Sequence, residues 1–139
     1  MDREGKRSGL KKQIQMNNYF LVFIGGGLGS LARYGVLILS NLLWVSRLPF
    51  ATFISNTLSS LVLGFLVGLA LEKYDINAGI KLFFITGFCG GFSTFSSFSF
   101  ETLELMRSGQ VFYALINIVV SIIVCLLCVW AGMVLAKLF

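Results

Sequence analysis

The sequence has no histidine, a single proline and charge on only 12% of its residues. Soluble domains carry about 25% charged residues. Without histidine, Ser-His triads, imidazole-ligated metals and imidazole pH switches are excluded. The shortage of charge comes with 57% hydrophobic residues and a mean hydropathy of +0.89, which excludes an ordinary soluble globule and a disordered chain. At 139 residues there is room for one domain and no soluble catalytic one, so the chain reads as a non-enzyme. The three cysteines, Cys89, Cys125 and Cys128, all fall inside apolar runs and read as small buried hydrophobes. Cys125 and Cys128 have C-x-x-C spacing without a second pair or polar surroundings.

What the chain does have is four long uncharged stretches. They run from Asn18 to Val45 (interrupted by Arg33), Phe50 to Leu71, Leu82 to Phe100 and Val111 to Ala136. A bilayer core of about 30 Å needs roughly 20 apolar residues as helix. The expected architecture is therefore an all-α, multi-pass protein of a cell inner or plasma membrane. Its helices are expected over about 18–45, 50–72, 79–106 and 111–138, behind a basic tail at residues 1–17. Pro49 opens the second helix, where proline is tolerated.

Four spans place both termini and the second linker on one side. Arg3, Lys6, Arg7, Lys11, Lys12, Lys73, Lys81 and Lys137 lie there, against Arg47 and Arg107 opposite. The positive-inside rule then puts the termini in the cytoplasm. The first five of these charges belong to the tail; without it the body is nearly neutral and sets no orientation by itself. The tail reads as a disordered membrane-surface anchor rather than a nucleic-acid arm, because basic residues beside a bilayer meet lipid headgroups.

Polar residues within spans are the informative ones, since each needs a partner or a wet cavity. The first helix carries Gly25-Gly26-Gly27-Leu28-Gly29-Ser30 and then Arg33. Small residues four apart predict close approach of another helix rather than a phosphate loop. Arg33 has two readings, a snorkelling side chain or a positive charge at the mouth of an anion pathway. In the second helix Asn56 follows Thr52 by one turn; it either glues helices together or lines a polar path. The third helix contains Gly87-Phe88-Cys89-Gly90-Gly91-Phe92-Ser93-Thr94-Phe95-Ser96-Ser97-Phe98-Ser99. Paired glycines and a dense hydroxyl run predict a break near Gly90 to Thr94, with freed carbonyls suited to a small cation and freed N–H groups suited to anions. Phe95 and Phe98 share a face, and their electropositive ring edges can meet a small anion without a full charge. In the fourth helix Asn117, Ser121 and Cys125 form one stripe. Glu72, Glu101 and Glu104 fall at helix ends in this reading, so no carboxylate is expected at mid-membrane, and an anion or neutral path is favoured over cation antiport.

The run from Gly87 to Glu101 is similar to the GFCGGxTTFSTFSxE signature of the Fluc fluoride channels. Gly29-x-x-x-Arg33-Tyr34 and Thr52-Phe53-Ile54-Ser55-Asn56 match further patterns of that family in order, and the resemblance covers the body from about Tyr19 onward. It implies an antiparallel, dual-topology homodimer with two pores, exporting fluoride passively. It implies a structural Na+ at the dimer centre on the backbone carbonyls of Gly90 and Ser93. The implied pore has Asn56 as side-chain donor, Phe95 and Phe98 as ring-edge contacts, and hydroxyls from Thr52, Thr94, Ser97 and the Asn117 and Ser121 stripe. Serines at 93 and 97 stand where the family usually has threonine, Asn117 where tyrosine is usual, and Cys125 where a hydroxyl is usual. The basic tail biases orientation, so a paired, oppositely oriented homologous subunit is the alternative partner. The rival functions are a small dual-topology multidrug transporter, which would need a carboxylate in the first helix, and a non-transporting assembly subunit.

Overall fold

A computed structural model describes residues 2–43, 48–72 and 76–139, with side chains from Gln15 onward except at Glu72. The first linker's Ser46 and Arg47 and the second linker's Lys73 therefore lie outside the described residues. The described residues form α1 (Asp2–Leu43), α2 (Phe50–Glu72), α3 (Ala78–Ile80), a π-helical segment (Lys81–Cys89), α4 (Gly90–Phe92), α5 (Phe95–Arg107) and α6 (Val111–Ala136). Four stretches are long and apolar enough to cross a membrane: Gln15–Leu43, Phe50–Leu71, Ala78–Arg107 and Val111–Ala136.

The basic segment, expected to be disordered, is instead the first part of α1. Lysine, arginine and glutamine are good helix formers, and a helix already nucleated in the span extends at little cost.

Spans pack in parallel pairs through glycine seams. A Cβ on Gly25 would overlap the Phe83 carbonyl oxygen, and one on Gly29 the Phe88 carbonyl oxygen. The small-residue run in α1 thus serves close packing against the third span. A second seam joins α2 to α6, where a Cβ on Gly64 would overlap the Val129 carbonyl oxygen and one on Gly132 that of Leu61. In lipid, where apolar side chains gain nothing by leaving the solvent, such backbone approach is a main source of helix association.

The third span is not one uniform helix. Its π segment holds Gly87 against the backbone of Gly25 and Gly26, and a Cβ on Gly91 would overlap the Gly26 carbonyl oxygen. After α4, Ser93 (ψ 157°) and Thr94 (φ −151°, ψ 109°) are extended. Thr94 caps α5, its Oγ1 accepting the Ser97 N–H at 3.3 Å. The far end of α5 closes in a Schellman turn: Gln110 N–H donates to the Leu105 carbonyl and Gly109 N–H to that of Met106, with Gly109 at φ +77°. Because α5 runs on to Arg107, Glu101 lies well inside it, not at its end.

Candidate functional site

The extended pair Ser93–Thr94 is held by α2. Thr94 N–H donates to Asn56 Oδ1 at 2.7 Å, and Asn56 Nδ2 donates to the Thr94 carbonyl at 3.4 Å. An unbroken helix would have sent that Thr94 N–H to the Gly90 carbonyl. One turn away, Ser59 Oγ and Ser93 Oγ each donate to the Cys89 carbonyl at 2.9 Å, and Ser93 N–H donates there at 3.0 Å. A backbone interruption inside a membrane span is tolerated where protein groups take up the freed donors and acceptors, and these bonds do so.

Two cavities flank the Asn56–Thr94 couplet. The first, about 260 Å³, is lined by Asn56, Ser60, Ser93, Phe95, Phe98, Ser121, Ile122 and Cys125. The structure therefore brings together Asn56, both phenylalanines and Ser121 of the sequence-predicted set. The Phe95 and Phe98 ring centroids are 5.8 Å apart with planes tilted by 37°. Phe98 is half-buried, whereas Phe95 is 79% exposed in the single chain. Asn56 has two amide hydrogens and uses one on Thr94, so a donor remains for a ligand in this cavity.

The second cavity, about 250 Å³, collects Arg33, Thr52, Thr94 and Ser97 with Ser30, Tyr34, Ser55 and Glu101. Arg33 is half-buried and faces hydroxyls. Thr52 Oγ1 donates to Glu101 Oε1 at 2.7 Å, and Thr94 Oγ1 donates to Ser97 Oγ at 3.0 Å. Glu101 and Ser55 were not among the predicted site residues. Glu101 closes the signature run and Ser55 stands within the Thr52–Asn56 pattern, but nothing in either pattern marks them as cavity-lining residues.

Asn117 is placed apart from Asn56. It is buried between helices, donating through Nδ2 to Thr102 Oγ1 at 2.8 Å, and Thr102 in turn donates to the Phe98 carbonyl at 2.7 Å. With Ser121 and Phe53 it lines a narrow crevice of about 70 Å³. The bond from Asn117 to Thr102 ties α5 to α6. Replacing Asn117 by leucine is expected to lower stability by about 1–2 kcal/mol, the range of an interhelical hydrogen bond in lipid. Thermal unfolding in detergent checks this, and flux per folded protein should persist.

Gly90 is exposed, and a Cβ built there meets nothing within 4 Å. Its carbonyl and that of Ser93 are neutral oxygens of the kind hard cations accept, so the donor type fits a sodium ion. Among the described residues no group of three or more His, Cys, Asp or Glu comes together to hold a metal.

Residues 20–133 match the family described as "CrcB-like protein, Camphor Resistance (CrcB)". The chain is similar to proteins named "Fluoride-specific ion channel FluC". It is 44% identical to the one from Pyrococcus horikoshii over 118 residues, covering 84% of this chain and 94% of that protein. It is 46% identical to the Pyrococcus furiosus protein over 125 residues (89% and 99%), and 41% identical to that of Azobacteroides pseudotrichonymphae over 124 residues (89% and 99%). With one continuous match over the glycine seams, the Asn56–Thr94 couplet and both cavities, this chain belongs to the CrcB family.

Proposed function

We propose that this chain is a fluoride-selective ion channel giving passive export of cytoplasmic fluoride, and hence fluoride resistance; it is not an enzyme. The observation that carries the reading is the Asn56–Thr94 couplet standing between two hydroxyl-bearing cavities. Fluoride is small and tightly hydrated, so a pore must replace its water with other donors. The spare Asn56 amide hydrogen, the Ser121 hydroxyl and the Phe95 and Phe98 ring edges supply neutral ones, which hold the ion without trapping it. Arg33 draws the anion toward the second cavity, where Thr52, Thr94 and Ser97 line the approach. The relatives named as fluoride channels, spread along nearly their whole lengths, support the same conclusion.

The working unit is an antiparallel homodimer with two pores, or a pair with an oppositely oriented homologous subunit. Phe95, exposed on one chain, is then covered by the partner. A structural Na+ sits at the dimer centre on the Gly90 and Ser93 carbonyls of both chains, where it neutralises oxygen dipoles that would otherwise face one another. Undissociated hydrogen fluoride enters cells from acidic surroundings, loses its proton inside, and the trapped anion leaves through the channel.

The test is efflux from liposomes loaded with both halides. Fluoride is expected to leave while chloride stays. A folded, reconstituted protein that passes neither, or both alike, refutes the reading.

A further inference from the structure

The antiparallel pair α2–α5 is laced by side-chain bonds at two levels. Asn56 meets Thr94 at one, and Thr52 meets Glu101 at the next. Between them on α2 lies Ser55, one turn from Thr52, and between them on α5 lies Ser97, one turn from Glu101. This middle level has no bond across it. Ser55 has 0% exposed surface, and its Oγ has no hydrogen-bond partner. Glu101 Oε2 is likewise buried without a partner, although Oε1 accepts from Thr52. Both residues line the same 250 Å³ cavity.

An unsatisfied buried polar atom is costly, and two on residues that line one cavity call for a shared ligand. A ligand that satisfies both groups takes the serine proton and donates to the carboxylate. A cation could use the oxygens of both but would sit beside the Arg33 guanidinium in the same cavity, which repels it. A simple anion cannot donate to the carboxylate. Water meets both, and buried waters are held by two to four polar groups of this kind.

We propose that Ser55 Oγ and Glu101 Oε2 hold one exchangeable water molecule at the unbonded level between α2 and α5, and that this water is a moving donor to the ion in the second cavity. Both oxygens are closed off in the arrangement described, so water enters with a rotamer change of the lining side chains, a ps–ns event for exposed ones and slower in a packed wall. The water site itself stands on the structure alone; its part in conduction rests on the channel reading above. It lets the ion keep one water of hydration until the spare Asn56 amide hydrogen takes over.

The experiment is a double-mutant cycle on the full chain, reading unfolding in detergent for Ser55→Ala, Glu101→Gln and the double variant. A water bridge predicts that Ser55→Ala lowers the folding equilibrium constant about tenfold, and that this effect largely vanishes in the Glu101→Gln background. Stabilisation by Ser55→Ala, or an equal effect in both backgrounds, overturns the bridge, because removing a hydroxyl that has no ligand is neutral or favourable. If Glu101→Gln does not fold, Ser55→Thr against Ser55→Val replaces the cycle. These differ by one hydroxyl in place of a methyl; Val should pass fluoride about tenfold more slowly than Thr, and equal rates in the two refute the proposal. Wild-type protein that passes no fluoride removes the role in conduction and the channel reading together, whereas wild-type flux with no Ser55–Glu101 coupling removes the water alone.

Discussion

Asn56→Asp is expected to abolish fluoride efflux, by a factor of about 1,000, in a protein that still folds. Asp keeps a side-chain oxygen where Asn56 Oδ1 accepts the Thr94 N–H at 2.7 Å, so the interruption between α4 and α5 stays capped. What it loses is Nδ2, and with it the amide donor facing the cavity of Phe95, Phe98 and Ser121. What it gains is a negative charge there. Two like charges about 4 Å apart repel by about 4 kcal/mol at an effective dielectric of about 20, roughly a thousandfold in the ion's occupancy. Liposome efflux and a size-exclusion profile of the same preparation check the two halves. Wild-type flux in the folded variant would take Asn56 out of the pathway.

Adjacent glycines should behave as opposites. Gly91→Ala is expected to cost about 3 kcal/mol or more, since its Cβ would collide with the Gly26 carbonyl oxygen, and backbone on both sides has no rotamer to yield. Gly90→Ala meets nothing within 4 Å in the single chain and should leave the subunit's fold intact. Unfolding in detergent, with yield of folded protein as the coarse readout, separates the two. A Gly91→Ala protein as stable as wild type would show that the α1 seam is looser than described.

Much of this was legible in the sequence because lipid imposes simple rules. Hydropathy and length mark the four spans, and glycines at 25 and 29 foretell the close approach of another helix, which the fold makes the third span. Asn56, Phe95, Phe98 and Ser121 stood out as polar or oddly placed residues, and the fold gathers them around one cavity. Other features turned on margins that a sequence does not display. A π register in place of an α register differs by one residue per hydrogen bond, and in that register Gly87 packs against the backbone of Gly25 and Gly26. Asn117 lies on the same stripe as Ser121, but a hydroxyl on α5 at the right height, Thr102, takes its amide. Glu101 follows directly on the uncharged run that ends at Phe100 and so reads as part of a helix end, while in the fold it is a cavity-lining residue with nearly two turns of α5 beyond it. Ser55 looked like any hydroxyl in a lipid helix, able to bond its own backbone; its isolation is a property of the packing.

The bond from Thr94 N–H to Asn56 Oδ1 has one more consequence. By leaving the helical ladder, that N–H withdraws the partner an unbroken helix would give the Gly90 carbonyl, while Asn56 also lines the cavity of Phe95 and Phe98. One side chain therefore sets the lone pairs that a cation would use and the donor that an anion would use. Sites joined in this way are thermodynamically reciprocal: whatever tightens one at equilibrium tightens or loosens the other by the same factor. In a channel built as proposed, the sodium affinity of the dimer centre and the fluoride affinity of the pore are two readings of a single hydrogen bond.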